Sequence, residues 1–316
     1  MVKSKSKVTI IGAGFVGAST AFAMALSRLA NEIVLIDINK EKAIGEAMDI
    51  NHGLSFVGEM SVYAGDYSDC ADSDVIVITA GLNRKPGETR LDLAKKNVAI
   101  AKDITSNIMK HYSHGVILVV SNPVDILTYM VQKWSGLPQG RVIGSGTVLD
   151  SSRFRYLLSE KFGVDIRNVH GYIIGEHGDS QLPLWSATHI AGKNINEYCS
   201  GPGSIFTEAD KLSIAEEVKK SGATIIANKG ATYYAIAVSV CTIVESLLKD
   251  QNTIRTVASV INGHYGINDV ALSLPSVIDY NGVKEIIQFN LTAEEEAALR
   301  NSAEKVKAVL NEVKNM

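Results

Sequence analysis

The chain has 316 residues, a length at which a single core usually stops growing, so one elaborate α/β unit or two closely packed domains is expected. Hydrophobic residues make up 46% and charged residues 21%, with six prolines and no low-complexity tract, which excludes a largely disordered chain. A formal net charge of -3 excludes the basic field that nucleic acid or anionic lipid would require, and Lys3, Lys5 and Lys7 read as a solvated end.

From the N-terminus, short β-branched runs alternate with longer helical patterns, the signature of βαβ units and a parallel sheet. Strands are predicted at Lys7 to Ile11, Ile33 to Asp37, Ser61 to Ala64, Val75 to Thr79, Val116 to Val120 and Val142 to Gly144. Several are apolar throughout, as strands covered by helices on both faces should be. Helices are predicted at Val16 to Leu29, Lys42 to His52 and Arg90 to Lys110, from apolar residues three and four apart. Together these make a six-stranded, doubly wound sheet of the Rossmann kind over residues 1–149. Beyond it, the alternation weakens. Helical segments around Arg153 to Lys161, Lys211 to Ala227 and Thr232 to Lys249, then strand-like stretches at Thr253 to Asn262 and Asp269 to Ile278, suggest an α+β substrate domain over 150–316. Thr292 and Glu295 form a capping box for a last helix with an apolar stripe of Leu299, Val306, Leu310 and Val313.

Cys70, Cys199 and Cys241 are far apart and lack CxxC spacing, so neither a disulfide framework nor a zinc knuckle is expected, and a reducing cytoplasm fits best. No signal-peptide pattern precedes Val8, and no apolar run reaches the ~18 residues of a membrane span.

Gly12, Gly14, Phe15, Val16 and Gly17 follow the first strand and open a helix, and Asp37 ends the next strand twenty residues beyond Gly17. In this context the glycines permit a tight turn, close approach of backbone to a pyrophosphate, and close helix packing, while the helix N-terminus attracts phosphate. Asp37 would accept the adenosine ribose hydroxyls and repel a 2′-phosphate, which favours NAD over NADP.

Four further segments carry polar residues for which an α/β core gives no reason: Gly81 to Arg90, Ser121 to Asp125, Val148 to Arg155 and Gly175 to Asp179. Removing hydride from a 2-hydroxy acid needs a base, a cation for the carboxylate and a group that polarises the oxygen. His177, Asp150, Arg153 and Arg90 can supply all of these.

Gly175-Glu-His-Gly-Asp179, Leu149-Asp-Ser-Ser-Arg-Phe-Arg155, Ser121-Asn-Pro-Val-Asp125 and Lys85-Pro-Gly-Glu-Thr-Arg90 resemble the L-lactate and L-malate dehydrogenase family, most closely its bacterial lactate branch. The resemblance implies that His177 is the acid/base, with an ordinary pKa of ~6.5 suited to neutral pH. It implies that Asp150 orients His177, that Arg153 clamps the substrate carboxylate through two parallel bonds, and that Arg90 arrives on a closing loop to polarise the carbonyl. It further implies that Asn122 bonds near the reacting carbonyl, that Ser121, Thr79, Ala80 and Gly81 line the dinucleotide, and that no metal is needed. Arg155 and His170 match a fructose 1,6-bisphosphate site across a subunit interface in bacterial lactate dehydrogenases; a surface pair without effector is the alternative. A homotetramer is implied likewise.

Two rival functions are a non-catalytic NAD-sensing module and an NAD-dependent glycosidase. The intact His177, Asp150, Arg153 and Arg90 set opposes the first, and the lack of a Cys and His ligand cluster opposes the second. Within the dehydrogenase reading, Glu88, Leu91 and Thr232 resemble the lactate branch, for pyruvate and lactate. Arg84 resembles the malate branch, where arginine meets the second carboxylate of oxaloacetate or malate. A lactate dehydrogenase scaffold with altered substrate recognition is the expectation; a dedicated malate dehydrogenase is the alternative.

Overall fold

Strands that are apolar at every position need cover on both faces, and two such runs, Val75–Ile78 and Val116–Val119, are buried along their whole length. They lie at the centre of the principal sheet in a computed structural model that describes residues 6–83, 87, 89–198 and 206–316. Its parallel strands are β1 (Lys7–Ile11), β2 (Glu32–Ile36), β3 (Ser61–Ala64), β4 (Val75–Ile78), β5 (Val116–Val119) and β6 (Val142–Gly144), in the spatial order β3-β2-β1-β4-β5-β6. The order reverses between β1 and β4, so the carboxyl ends of these strands border the crevice where an open α/β sheet binds its ligand.

The sheet does not stop at the six expected strands. Ala258–Asn262 pairs antiparallel with β6, and Asn268–Ser273 pairs antiparallel with it in turn, giving eight strands among the described residues. The stretch from Thr253 to Asn262 therefore divides. Thr253–Arg255 joins a separate three-stranded sheet with Ser276–Asp279 and Gly282–Ile286. Alternation marks a strand, but pairing partners are set by tertiary packing.

The helices are α1 (Phe15–Ser27), α2 (Lys40–Val57), α3 (Arg90–Met109), α4 (Val124–Ser135), α5 (Val148–Phe162), α6 (Glu208–Lys229), α7 (Tyr234–Leu248) and α8 (Ala293–Val313). Two differ from expectation. Helix α4 was not anticipated, although Ile126, Leu127, Met130 and Val131 stand three and four residues apart and are buried while Lys133 is exposed. Helix α5 begins at Val148, five residues before the predicted start, which places Asp150 in its first turn.

The two halves share cores. Val240, Ile243, Val244 and Leu247 of α7 pack with Ala21, Met24 and Ala25 of α1, and Leu299, Val306 and Leu310 of α8 pack with Val98, Ala101 and Ile108 of α3. Each such aliphatic side chain contributes ~1.5–3 kcal/mol on burial, so the second half holds α1 and α3 in place.

Helix starts divide into two groups. Asn39, Thr89, Thr207 and Thr292 cap α2, α3, α6 and α8 with their side chains, whereas α1, α4, α5 and α7 have no side-chain cap. Uncapped starts include those at the glycine turn (α1), at Ser121 to Asp125 (α4) and at Val148 to Arg155 (α5), whereas α3, which follows Gly81 to Arg90, is capped by Thr89. Helix N-termini left without an internal partner are available to anions.

Candidate active site

The glycine turn is shaped by contacts that a side chain would break. Gly12 has φ +108°, and a Cβ on Gly17 would sit 1.8 Å from the Gly12 carbonyl oxygen. Gly14 instead faces open space. Thr79, at the end of β4, donates its hydroxyl to the Gly12 carbonyl at 2.9 Å and ties the two strand ends together. Asp37 Oδ2 accepts the Ala13 N–H at 2.6 Å, bringing a carboxylate to the edge of the turn. Uncapped N–H groups at the start of α1, open space at Gly14 and an acceptor at Asp37 fit a dinucleotide: the first two suit the pyrophosphate and the third the ribose hydroxyls. Phe15 is exposed and stacks on Tyr233, ring centroids 5.3 Å apart, which brings the segment carrying Thr232 against this turn.

Ser121 follows β5 and donates its hydroxyl to the Ala80 carbonyl at 2.6 Å. Asn97 of α3 donates to the Asn122 carbonyl at 2.7 Å and to the Leu82 carbonyl at 3.1 Å, while its Oδ1 accepts the Leu82 N–H at 2.8 Å. Thr79, Ala80, Gly81, Ser121 and Asn122 are thereby held in one wall.

At the centre, one buried carboxylate serves two cations. Asp150 Oδ2 lies 2.6 Å from His177 Nδ1, and Asp150 Oδ1 accepts from Arg153 Nη1 at 3.0 Å. Ionised Asp150 can only accept, so Nδ1 carries the proton and Nε2 is left for a substrate. The Asp150 side chain is 3% exposed and that of His177 27%, so the pair opens to solvent on the histidine side. Burial opposes charge on His177, but the charge and hydrogen bond of Asp150, aided by Asp125, outweigh it and raise its pKa to about 9. For Asp150, burial works against ionisation, yet His177 and Arg153 hold its carboxyl below the ordinary range. The expected value near neutrality is thus corrected. With a buried anion on Nδ1, the resting histidine is protonated at neutral pH, which equips it to donate.

Residues 6–144 match the NAD binding domain of lactate/malate dehydrogenase, and residues 147–316 match the alpha/beta C-terminal domain of the same family. The chain belongs to the lactate/malate dehydrogenase family. Its cofactor is NAD. Relatives include an L-lactate dehydrogenase of Thermoanaerobacter sp. (strain X514), 55% identical over 98% of this chain and 99% of the relative. L-lactate dehydrogenase 1 of Clostridium acetobutylicum is 51% identical over 99% of this chain and all of the relative. Among solved structures, the L-lactate dehydrogenase of Clostridium thermocellum is 72% identical, with a TM-score of 0.88 over 98% of this chain and 100% of that one. The ligand-bound minor L-lactate dehydrogenase of Enterococcus mundtii is 45% identical, with a TM-score of 0.95 over 98% and 99%.

The remaining expected site residues of this family member are placed as follows. Arg90 is the first residue of α3. Arg84 and Glu88 lie outside the described residues. Arg155, on α5, is largely buried and donates its Nε to the Ser151 carbonyl at 3.2 Å, whereas His170 is exposed on the strand Val169–His170; no bond joins them among the described residues. Arg255 has its Nε buried without a partner among the described residues, and burial followed by the charge of Arg155 lowers its pKa. Sequence reasoning passed over Arg255, Asn97 and Ser302, and it assigned no role to Asp125 at the end of the Ser121 to Asp125 segment. For Asn97 a signal existed, a lone amide on the apolar stripe of Ala94, Val98 and Ala101; Ser302, which accepts the Glu176 N–H at 2.8 Å from α8, carried none.

Proposed function

We propose that the protein is an NAD-dependent L-lactate dehydrogenase that reduces pyruvate to L-lactate, and that Arg84 extends its range to oxaloacetate. The observation that carries the reading is the single Asp150 carboxylate bridging His177 and Arg153. It supports turnover over a module that merely senses NAD, because a buried carboxylate holding one imidazole and one guanidinium has no use in cofactor binding.

When bound, the reduced nicotinamide supplies the hydride that C2 of the oxo acid receives. Arg153 spends one N–H on Asp150 and keeps the rest of its planar fork for the substrate carboxylate. His177 delivers its Nε2 proton to the carbonyl oxygen as that oxygen becomes an alcohol, and leaves neutral. Asp150 remains ionised throughout, fixing the ring tautomer and stabilising the charged form before transfer. Arg90 polarises the carbonyl, and Thr232, brought beside the glycine turn, takes part in shaping the pocket for the remainder of the substrate.

With pyruvate the group facing Arg84 is a methyl; with oxaloacetate it is a carboxylate, and a charge-assisted bond there is worth ~1.5–3 kcal/mol, roughly ten- to a hundredfold in specificity. The test is kcat/KM for both oxo acids with NADH, in the parent and in Arg84→Gln. The reading requires pyruvate reduction in both and a fall of more than about tenfold for oxaloacetate alone in the variant. Parallel changes with the two substrates would remove Arg84 from specificity and leave oxaloacetate recognition unsupported.

Assembly as a homotetramer is part of the proposal. Phe22 and Leu26 of α1, Ile44 and Met48 of α2, and Val238 of α7 are exposed on neighbouring helices, and apolar surface of this kind favours burial against further subunits. An effector role for Arg155 and His170 is supported by Arg255: two guanidinium groups close enough to feel each other's charge, neither in an ion pair among the described residues, suit a phosphate ester.

A further inference from the structure

Asp125 is a buried carboxylate near His177 to which the mechanism above gives no part. It lies in the first turn of α4, as Asp150 lies in the first turn of α5, and it is only 3% exposed. Its Oδ2 accepts the backbone N–H of His177 at 2.8 Å, while Oδ1 is buried with no hydrogen-bond partner among the described residues. A neutral amide oxygen would satisfy that N–H at far smaller desolvation cost, so burial of a carboxylate here calls for a use of its charge.

The geometry points to Asp125 as a positioning residue for the acid/base: it anchors the His177 backbone while Asp150 anchors the ring, and the two carboxylates together hold the imidazole in its charged form. Three elements converge on the residue. From α4 comes Asp125, from α5 come Asp150 and Arg153, and from the loop after Ile173–Ile174 come Glu176 and His177. Helix α8 adds the Ser302 hydroxyl, which accepts the neighbouring Glu176 N–H and so fixes the same loop from its other side.

Burial pushes Asp125 up to about 7, against the pull of the His177 N–H and charge, with Glu176 and Asp150 adding to the rise. His177 titrates at about 9. Asp125 is therefore ionised across the range in which His177 loses its proton, and its charge delays that loss. Proton donation by His177 is confined to pH below its own pKa, so the Asp125 charge extends the reducing range upward. Arg153 acts in the opposite sense, lowering the His177 pKa by like charge, and the ring responds to the balance of all three.

The inference rests on His177 as acid/base, and the experiment separates the two. In Asp125→Asn the amide oxygen still accepts the His177 N–H and only the charge is lost. The His177 ring is titrated by NMR in the full-length parent and in this variant, with the resonance assigned from its absence in His177→Asn; turnover is not needed. The expected result is a lower titration midpoint in Asp125→Asn, by about half a pH unit or more, with a matching retreat of the alkaline limb of pyruvate reduction. In Asp125→Ala the acceptor is lost too, and kcat falls by about tenfold or more while NADH binding, followed by fluorescence, is unchanged. An unchanged midpoint in Asp125→Asn overturns the inference. A shifted midpoint in a parent that does not turn over pyruvate upholds it and removes the proposed substrate.

Discussion

Asp150→Asn tests the centre of the site with little change in shape. In the parent, Asp150 Oδ2 meets His177 Nδ1 at 2.6 Å and the ring titrates at about 9 against an ordinary 6.5. That difference corresponds to about 3 kcal/mol in favour of the imidazolium, reduced to ~2–3 by solvent reaching the partly exposed ring. With the charge removed, burial and the Arg153 charge act on the ring against Asp125 alone, and its pKa drops to 6.5 or below. At pH 7 the protonated fraction then falls from ~99% to at most ~25%. Loss of a charged hydrogen bond from the transition state adds ~1.5–3 kcal/mol, or ten- to a hundredfold. The assay is steady-state kcat/KM for pyruvate with NADH from pH 5 to 9.5, beside an NADH fluorescence titration. At pH 7 a fall of about a hundredfold is expected, with partial recovery toward pH 5.5 as the imidazole regains its proton and with NADH affinity within about twofold of the parent. The sign follows from the chemistry: reduction consumes the protonated ring, so activity stands below the His177 pKa and disappears as pH rises through it. A variant whose alkaline limb stays near pH 9 would show that Asp150 does not set the His177 charge, and the reasoning would fail.

Gly14→Ala and Gly17→Ala should part company. The first places a methyl in open space and leaves the melting temperature unchanged, but weakens NADH binding by about tenfold or more, because it occupies the approach of the pyrophosphate. The second forces a Cβ to within 1.8 Å of the Gly12 oxygen and lowers the melting temperature by about 5–10 °C, as overpacking does; equal thermal stability of the two variants would contradict this division. Fructose 1,6-bisphosphate should lower the apparent KM for pyruvate, and Arg155→Gln should abolish the effect; superimposable saturation curves with and without the bisphosphate would leave the Arg155, His170 and Arg255 group without an effector.

Much of this protein is written in local pattern. The glycine turn and Asp37 are legible because a tight turn and close helix packing tolerate no Cβ, and the structure bears this out at Gly12 and Gly17. Strands β4 and β5 are legible because doubly covered strands are apolar throughout. The segment around His177 stands out because two acids and two glycines flank it, although Gly175 also meets a structural need, with φ +90° and no room for a Cβ beside Ser302. Other features depend on what lies far away in the chain. Helix α4 is not among these: Ile126, Leu127, Met130 and Val131 keep helical spacing, a pattern passed over beside the polar segment Ser121 to Asp125.

The sequence by itself determined the fold class and the NAD cofactor, because doubly covered strands and a glycine turn are local patterns, and its resemblance to a family supplied the acid, the base and the cations that are proposed. Only the tertiary structure decided that strands from the second half complete the first half's sheet, since antiparallel partners are chosen by packing across the chain. It alone decided the state of His177. An ordinary imidazole becomes a resting proton donor through two carboxylates that lie 27 and 52 residues away in sequence, one at its ring and one at its backbone, in surroundings where charge is poorly screened.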